Sequence, residues 1–334
     1  MNAGMLSAPV PRHRHAGARR LALSVLLLAI LLPAATIAAT YPRFQADMRL
    51  GREQVAGSTL ITTPISQIEY AETGSGPAVL MVHGAGGGFD QGLLIGQTFV
   101  GEGYRLIAPS RFGYLRSEIP ANASPELQAD VHAALLDALS TERVAVVAYS
   151  DGGPSALQFA LRHPDRTAAL VMMSAKSQSP PPGSAVQEAV FESIFRSDYL
   201  YWAVNAAAHP FLLSVLGVPA EVQGASTGNG QRLIAAATDG MNPISQRRNG
   251  IYLDRAIMST LPPEQFPLEQ IMAPTLVVHA QDDSLQPYAH GLNTAGRIPG
   301  AQLVSYERGG HLLLLQIEDA RQQVAAFIAE HLDR

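Results

Sequence analysis

The sequence predicts an α/β protein, an eight-stranded and mostly parallel sheet with helices on both faces and a helical segment inserted after the sixth strand. Three observations carry this. Short apolar, β-branched runs alternate with segments whose apolar residues recur at three- and four-residue spacing; the alternation stops across residues 176–267; and several of the apolar runs empty into glycine-rich or acidic turns. Runs that are apolar along their whole length, such as AVLMV at 78–82 and VAVVAY at 144–149, belong in a sheet covered on both faces, which is the parallel arrangement.

The N terminus reads as a targeting segment over residues 1–40. Arg and His are frequent in residues 12–20, and residues 21–39 form an almost purely apolar run that ends in small residues. Its length lies between that of a cleaved export signal and that of a membrane anchor, and Pro33 weakens a continuous helix. In both cases the basic flank stays in the cytoplasm and the domain is exported. It is then either anchored facing the extracytoplasmic side or released as a periplasmic or secreted protein. A polar stem follows at 41–58.

From there the strands are expected near residues 60–63, 68–72, 78–82, 106–109, 144–149, 169–174, 275–279 and 302–306, with the leading ones antiparallel. Helical spacing marks residues 125–139, 154–163 and 315–332. The body is thus expected to comprise residues 59–175 and 268–334, and a helical cap residues 176–267. KSQSPPPGS at 176–184 opens the cap as a breaker-rich linker, and Pro262, Pro263 and Pro267 mark the return. The cap aromatics Phe191, Phe195, Tyr199, Tyr201, Trp202 and Phe211 either pack it onto the body or line a pocket. Trp202 and Tyr149 are the candidate substrate contacts.

Composition excludes several classes of function. The chain has 23 Lys and Arg against 28 Asp and Glu, a net charge of -5, so it carries no basic field for nucleic acid. It has no cysteine, which rules out disulfides, thiolate metal sites and a cysteine nucleophile. Its histidines lack the spacing and acidic company of metal ligands, so neither a metal nor a cofactor is expected, and the expected partner is a small-molecule substrate.

The chemistry centres on Ser150, at the end of an apolar run and the start of a helical one, within Ala148-Tyr149-Ser150-Asp151-Gly152. A sharp turn there lifts one side chain clear of the backbone and needs small residues two positions before and after it; Ala148 and Gly152 meet that need. A serine hydroxyl needs a histidine to take its proton, and the histidine needs a carboxylate to orient it. Asp282-Asp283 follow the strand at 275–279, and Gly309-Gly310-His311 follow the strand at 302–306. In a parallel sheet these ends share the edge that carries Ser150. Upstream, the strand at 78–82 ends in His83-Gly84-Ala85-Gly86-Gly87-Gly88, a turn suited to presenting backbone N–H groups to a carbonyl oxygen. Ala85, together with Asp151 directly after Ser150, is the candidate oxyanion donor.

With these residues in their order, the chain resembles the α/β-hydrolase fold family over residues 59–332. The resemblance implies Ser150 as nucleophile, His311 as base, Asp283 as the acid of the triad, and Ala85 and Asp151 as oxyanion donors. Asp283 is preferred to Asp282 because HAQDDSLQP resembles the family segment H-G-x-x-D-x-x-x-P, with Ala280 in place of the glycine. It further implies hydrolysis of an ester-like bond of a small or medium hydrophobic substrate through an acyl-enzyme. Carbon-carbon bond hydrolysis, lactone hydrolysis and cofactor-free perhydrolysis share the triad, and a weakly catalytic ligand-binding relative is the alternative of another class. Ser-Asp-Gly-Gly is also similar to hydrolases of amino-acid esters, in which case Asp151 would attract a substrate amine. Arg111 is expected in a surface ion pair or on a substrate carboxylate, and His83 is expected to shape its loop.

Overall fold

Eight strands form one sheet in the order β1-β2-β4-β3-β5-β6-β7-β8. They are β1 Thr59–Thr62, β2 Gln67–Thr73, β3 Ala78–Val82, β4 Arg105–Pro109, β5 Val144–Tyr149, β6 Thr167–Met173, β7 Thr275–Ala280 and β8 Gln302–Tyr306. β1 pairs with β2 and β2 with β4 in antiparallel fashion, and every other pairing is parallel. The chain winds one way from β3 to β4 and the other way from β5 onward, so the order reverses between β3 and β5. Open sheets place their sites in the crevice at the carboxyl ends of such strands. The register aligns Val82 with Ala148, which brings the glycine-rich turn after β3 beside Ser150.

The computed structural model describes residues 14–179 and 185–332 and divides into two compact units, Met1–Arg49 and Leu50–Arg334. The α-helices among these residues are α1 Arg14–Gln54, α2 Phe89–Phe99, α3 Pro125–Ala138, α4 Gly153–Arg162, α5 Ala185–Phe195, α6 Asp198–Val215, α7 Ala220–Ala225, α8 Asn229–Thr238, α9 Arg248–Leu253, α10 Ala289–Arg297 and α11 Ile317–Leu332. α5 to α9 all fall between β6 and β7. The central strands are buried on both faces and sort by the two-residue period of a strand. Leu80, Val82, Val146, Ala148, Leu170 and Met172 join α3 and α4 in one core, while Val79, Met81, Ala145, Val147 and Val171 join α2 and α11 in the other. α3 starts as its sequence dictates, with the Ser124 side chain accepting from the Leu127 N–H and Pro125 in the first turn.

Two helices form despite a poor helical composition. α2 contains Gly92 and Gly96, and α10 contains Gly291, Asn293 and Thr294, all weak helix formers. Packing explains them: a side-chain carbon on Gly92 would lie 3.0 Å from the Ala108 methyl, and one on Gly291 would lie 3.1 Å from His279. Tertiary contact with the sheet thus overrides propensity.

α1 continues through Pro33 and Pro42, where a weakened helix and a separate stem are expected from the sequence. Among the described residues no helix is long and apolar enough to cross a membrane, so the anchoring expected of residues 21–39 gains no support. Residues 1–13 of that segment, which include only the beginning of its basic stretch, lie outside the described residues, as do residues 180–184 of the proline-rich linker.

Candidate active site

β5 ends at Tyr149, and the next residue, Ser150, has φ +53°, in the left-handed region that a non-glycine residue adopts only under constraint. The crowding around it accounts for the small residues. A side-chain carbon on Gly152 would collide with the Val82 carbonyl oxygen, and one on Gly84 would lie 2.7 Å from the Ser150 Cβ. Strand end, turn and α4 therefore pass β3 closely and hold Ser150 in place.

Ser150, His311 and Asp283 meet in one hydrogen-bonded chain. His311 Nε2 lies 2.9 Å from Ser150 Oγ, and His311 Nδ1 lies 2.8 Å from Asp283 Oδ2. A carboxylate only accepts, so the proton sits on Nδ1 and Nε2 accepts from the serine hydroxyl. All three residues are buried. Burial works to raise the Asp283 carboxyl, but the His311 charge, hydrogen bonds from His279 and His311, and the Gln286 N–H outweigh it and hold the group well below the usual carboxylate range. Its Oδ1 accepts from the backbone N–H groups of Leu285 and Gln286 at 2.9 Å each.

Asp282 has a different task. It accepts from the N–H groups of Gly309 and Gly310, at 3.2 and 2.8 Å, and so sets the loop that aims His311. Gly310, at φ +60°, makes the turn. The His311 N–H donates to the Gly217 carbonyl at 2.8 Å. Tyr149 completes this support, its hydroxyl donating to the His311 carbonyl at 3.2 Å and its ring centroid 5.1 Å from that of His311. Trp202, buried on α6, packs its ring against Tyr199 at 5.7 Å.

The turn after β3 brings Gly84 alongside Ser150, with Ala85 next to it in the chain, and Asp151 follows Ser150 directly. His83 shapes that turn: its Nδ1–H donates to the Gly84 carbonyl at 2.7 Å, and its Nε2 accepts from the Arg111 N–H at 2.8 Å. Gln91 Oε1 accepts from the Gly84 N–H at 2.8 Å.

Two charged residues behave differently from their expectations. The Asp151 carboxylate pairs with Lys176, whose Nζ also donates to Ser259 Oγ at 2.7 Å, and it accepts from Gln286 Nε2 at 3.1 Å. Burial raises this carboxyl, but the Lys176 charge and hydrogen bond overcome that and lower it. The negative charge meant for a substrate amine is thus already matched by the chain. Arg111 is neither a surface residue nor free for a substrate carboxylate: it is 1% exposed and holds Asp254 with two hydrogen bonds of 2.6 and 2.7 Å. Lys176, Gln286 and Asp254 escape a sequence reading. Lys176 stands alone at the head of a proline-rich linker, with no local pattern to mark it.

Three histidines around this region are held neutral. Burial, then the Arg111 charge, pushes His83 well below its ordinary value and His132 down to about 3; burial, then Lys176, pushes His290 down to about 4. In the unfolded chain each titrates near 6.5, so below that pH the unfolded state takes up protons that the native state refuses. Stability is therefore expected to fall between pH 6.5 and 4, by about 1.4 kcal/mol per pH unit for each histidine at full effect. Thermal melts at pH 7.5 and 5.0 check this, and a melting temperature that is flat across the interval would contradict it.

Comparison with known proteins agrees with this architecture. Residues 77–316 match the family model described as alpha/beta hydrolase fold. A relative from Cupriavidus pinatubonensis, named 2-hydroxy-6-oxononadienedioate/2-hydroxy-6-oxononatrienedioate hydrolase, is 31% identical over 73% of this chain and 84% of its own length. Among solved structures, an alpha/beta hydrolase fold protein from Nakamurella multipartita is 26% identical, with a TM-score of 0.62 over 81% of this chain and 98% of that one. The enol-lactonase from Burkholderia xenovorans, at 19% identity, shares the fold, with a TM-score of 0.64 over 81% of this chain and 100% of its own. The chain belongs to the α/β-hydrolase family.

Proposed function

We propose that the protein is a serine hydrolase that cleaves an ester-type bond of an uncharged, small or medium hydrophobic substrate through an acyl-enzyme. The observation that carries this reading is the hydrogen-bonded chain Ser150–His311–Asp283, with contacts of 2.9 and 2.8 Å, at the switch point of the sheet. His311 Nε2 takes the hydroxyl proton as Ser150 Oγ attacks the carbonyl carbon. The N–H groups of Ala85 and Asp151 receive the charge that develops on the carbonyl oxygen, and Asp283 stabilises the imidazolium. His311 returns the proton to the leaving group, then activates the water that hydrolyses the acyl-enzyme.

The charges support an uncharged acyl group. Lys176, Arg111 and Arg247, the buried lysine and arginines among the described residues, each face a carboxylate of the chain itself: Asp151, Asp254 and Asp90. A second reading, hydrolysis of a carbon-carbon bond in an oxo-dienoate, is favoured by the name of the Cupriavidus relative, because attack on a ketone uses the same groups. Rates on a p-nitrophenyl butyrate, a γ-lactone and a 2-hydroxy-6-oxo-dienedioate, each compared with the Ser150→Ala protein, decide between them. The ester is expected to turn over fastest; a higher kcat/KM on the dienedioate would establish the second reading instead.

A further inference from the structure

We propose that two arginine–aspartate pairs, the buried Arg111–Asp254 and the half-buried Arg247–Asp90, form a crossed clamp between body and cap segment. The clamp holds the glycine-rich turn at residues 83–88 in the geometry that receives the oxyanion, so these four are positioning residues for the hydrolysis. The inference rests on the hydrolytic reading above.

The crossing is visible in the partners. Arg111, just past β4, reaches Asp254, which lies in the π-helical turn Asp254–Met258 after α9. Arg247, just before α9, reaches back to Asp90 on α2 with bonds of 3.1 and 2.8 Å. Each guanidinium keeps one further N–H for the turn itself: Arg111 Nε donates to the His83 carbonyl at 2.8 Å, and Arg247 donates to the Gly87 carbonyl at 2.6 Å. The two ends of the turn are thereby pinned, and the peptide that presents the Ala85 N–H lies between them. Tyr114 adds a third bond to Asp254 at 2.5 Å. Backbone bonds stitch the same surfaces together, from Leu115 N–H to the Gln246 carbonyl at 2.7 Å and from Gly250 N–H to the Gly113 carbonyl at 2.9 Å.

A turn with glycine at 84, 86, 87 and 88 needs such external bracing, because its peptides rotate at little steric cost. Stability alone does not explain the clamp, since an apolar contact of the same volume would serve a core at least as well as a buried ion pair. Direction does explain it. A planar guanidinium binds a carboxylate with two parallel bonds and aims a third at a carbonyl, which an ammonium on a flexible stem cannot reproduce.

The test is the kinetics of Asp90→Asn, Arg247→Lys and Arg111→Lys on the p-nitrophenyl ester, with the affinity of a trifluoromethyl ketone measured in parallel. That inhibitor binds as a tetrahedral adduct of Ser150 and reports the oxyanion site, whereas KM reports ground-state binding. Each variant is expected to lose about 10- to 100-fold in kcat with KM within about twofold of wild type, and inhibitor affinity is expected to fall by the same factor. Asp90 is partly exposed, so Asp90→Asn tolerates the loss of its charge and carries the test if either arginine variant fails to fold. Folded variants that match wild type, or that lose kcat while inhibitor affinity holds, overturn the clamp alone. A wild type without Ser150-dependent turnover overturns the hydrolytic reading and the clamp's role with it.

Discussion

Ser150→Ala is expected to lower kcat/KM on an ester substrate by at least about 10⁴-fold and to abolish reaction with a fluorophosphonate, with the fold unchanged. The loss is large because in the proposed mechanism the hydroxyl is the attacking group and nothing replaces it, which leaves only the rate due to binding and to the proposed oxyanion donors. The fold survives because the hydroxyl does little for packing. The positive φ at 150 is imposed by the crowding of Gly84 and Gly152 against β3 and β5, and alanine occupies that conformation at the same cost as serine. Melting temperature by circular dichroism, measured beside the kinetics, separates the two effects. A Ser150→Ala protein that kept a tenth of the wild-type rate would place the chemistry elsewhere.

The second large effect separates two adjacent acids. Asp283→Asn is expected to cost about 10³- to 10⁴-fold in kcat, and Asp282→Asn less than about tenfold. Asp283 accepts the Nδ1 proton of His311, so the other nitrogen is free to take the serine proton. An asparagine amide in its place donates to Nδ1 and drives the ring into the opposite tautomer. Asp282 touches only the backbone of Gly309 and Gly310, and asparagine retains an acceptor for that loop. The substitution at 283 also changes the response to acid. The Asp283 carboxyl is held below its unfolded value, so its contribution to stability is present above about pH 4 and is lost as the pH falls towards its native value. Asp283→Asn removes that contribution at neutral pH. Equal kinetic losses for both variants would mean that the acids act as one unit.

What could be read from the sequence followed the reach of each signal. The sheet was legible because its strands are short, apolar on both faces and separated by periodic segments; β3, β5, β6 and β7 lie where their apolar runs lie. Ser150, Asp283 and His311 were legible because a strand-end turn advertises each of them locally, as the small residues flanking Ser150 and the paired glycines before His311 show. α2 and α10 were not, because the glycines that fit them against the sheet lower their helix propensity. The charged pairs were also hidden. Arg111 and Asp254 are 143 positions apart, and Arg247 and Asp90 are 157 apart, so no window of sequence contains both partners. Arg111 read as a surface or ligand-binding residue because its bidentate carboxylate comes from a distant part of the chain. Tyr149 was legible as a residue of the site, but the contacts that the structure gives it are with the His311 loop.

The account depends on Ser150 acting as a nucleophile on the proton path through His311 to Asp283. Incubation with a fluorophosphonate, followed by proteolysis and mass spectrometry, tests that directly. The predicted result is one phosphonyl adduct on the peptide containing Ser150, absent from the Ser150→Ala protein. An unmodified folded protein, or an adduct on any other residue, would contradict it.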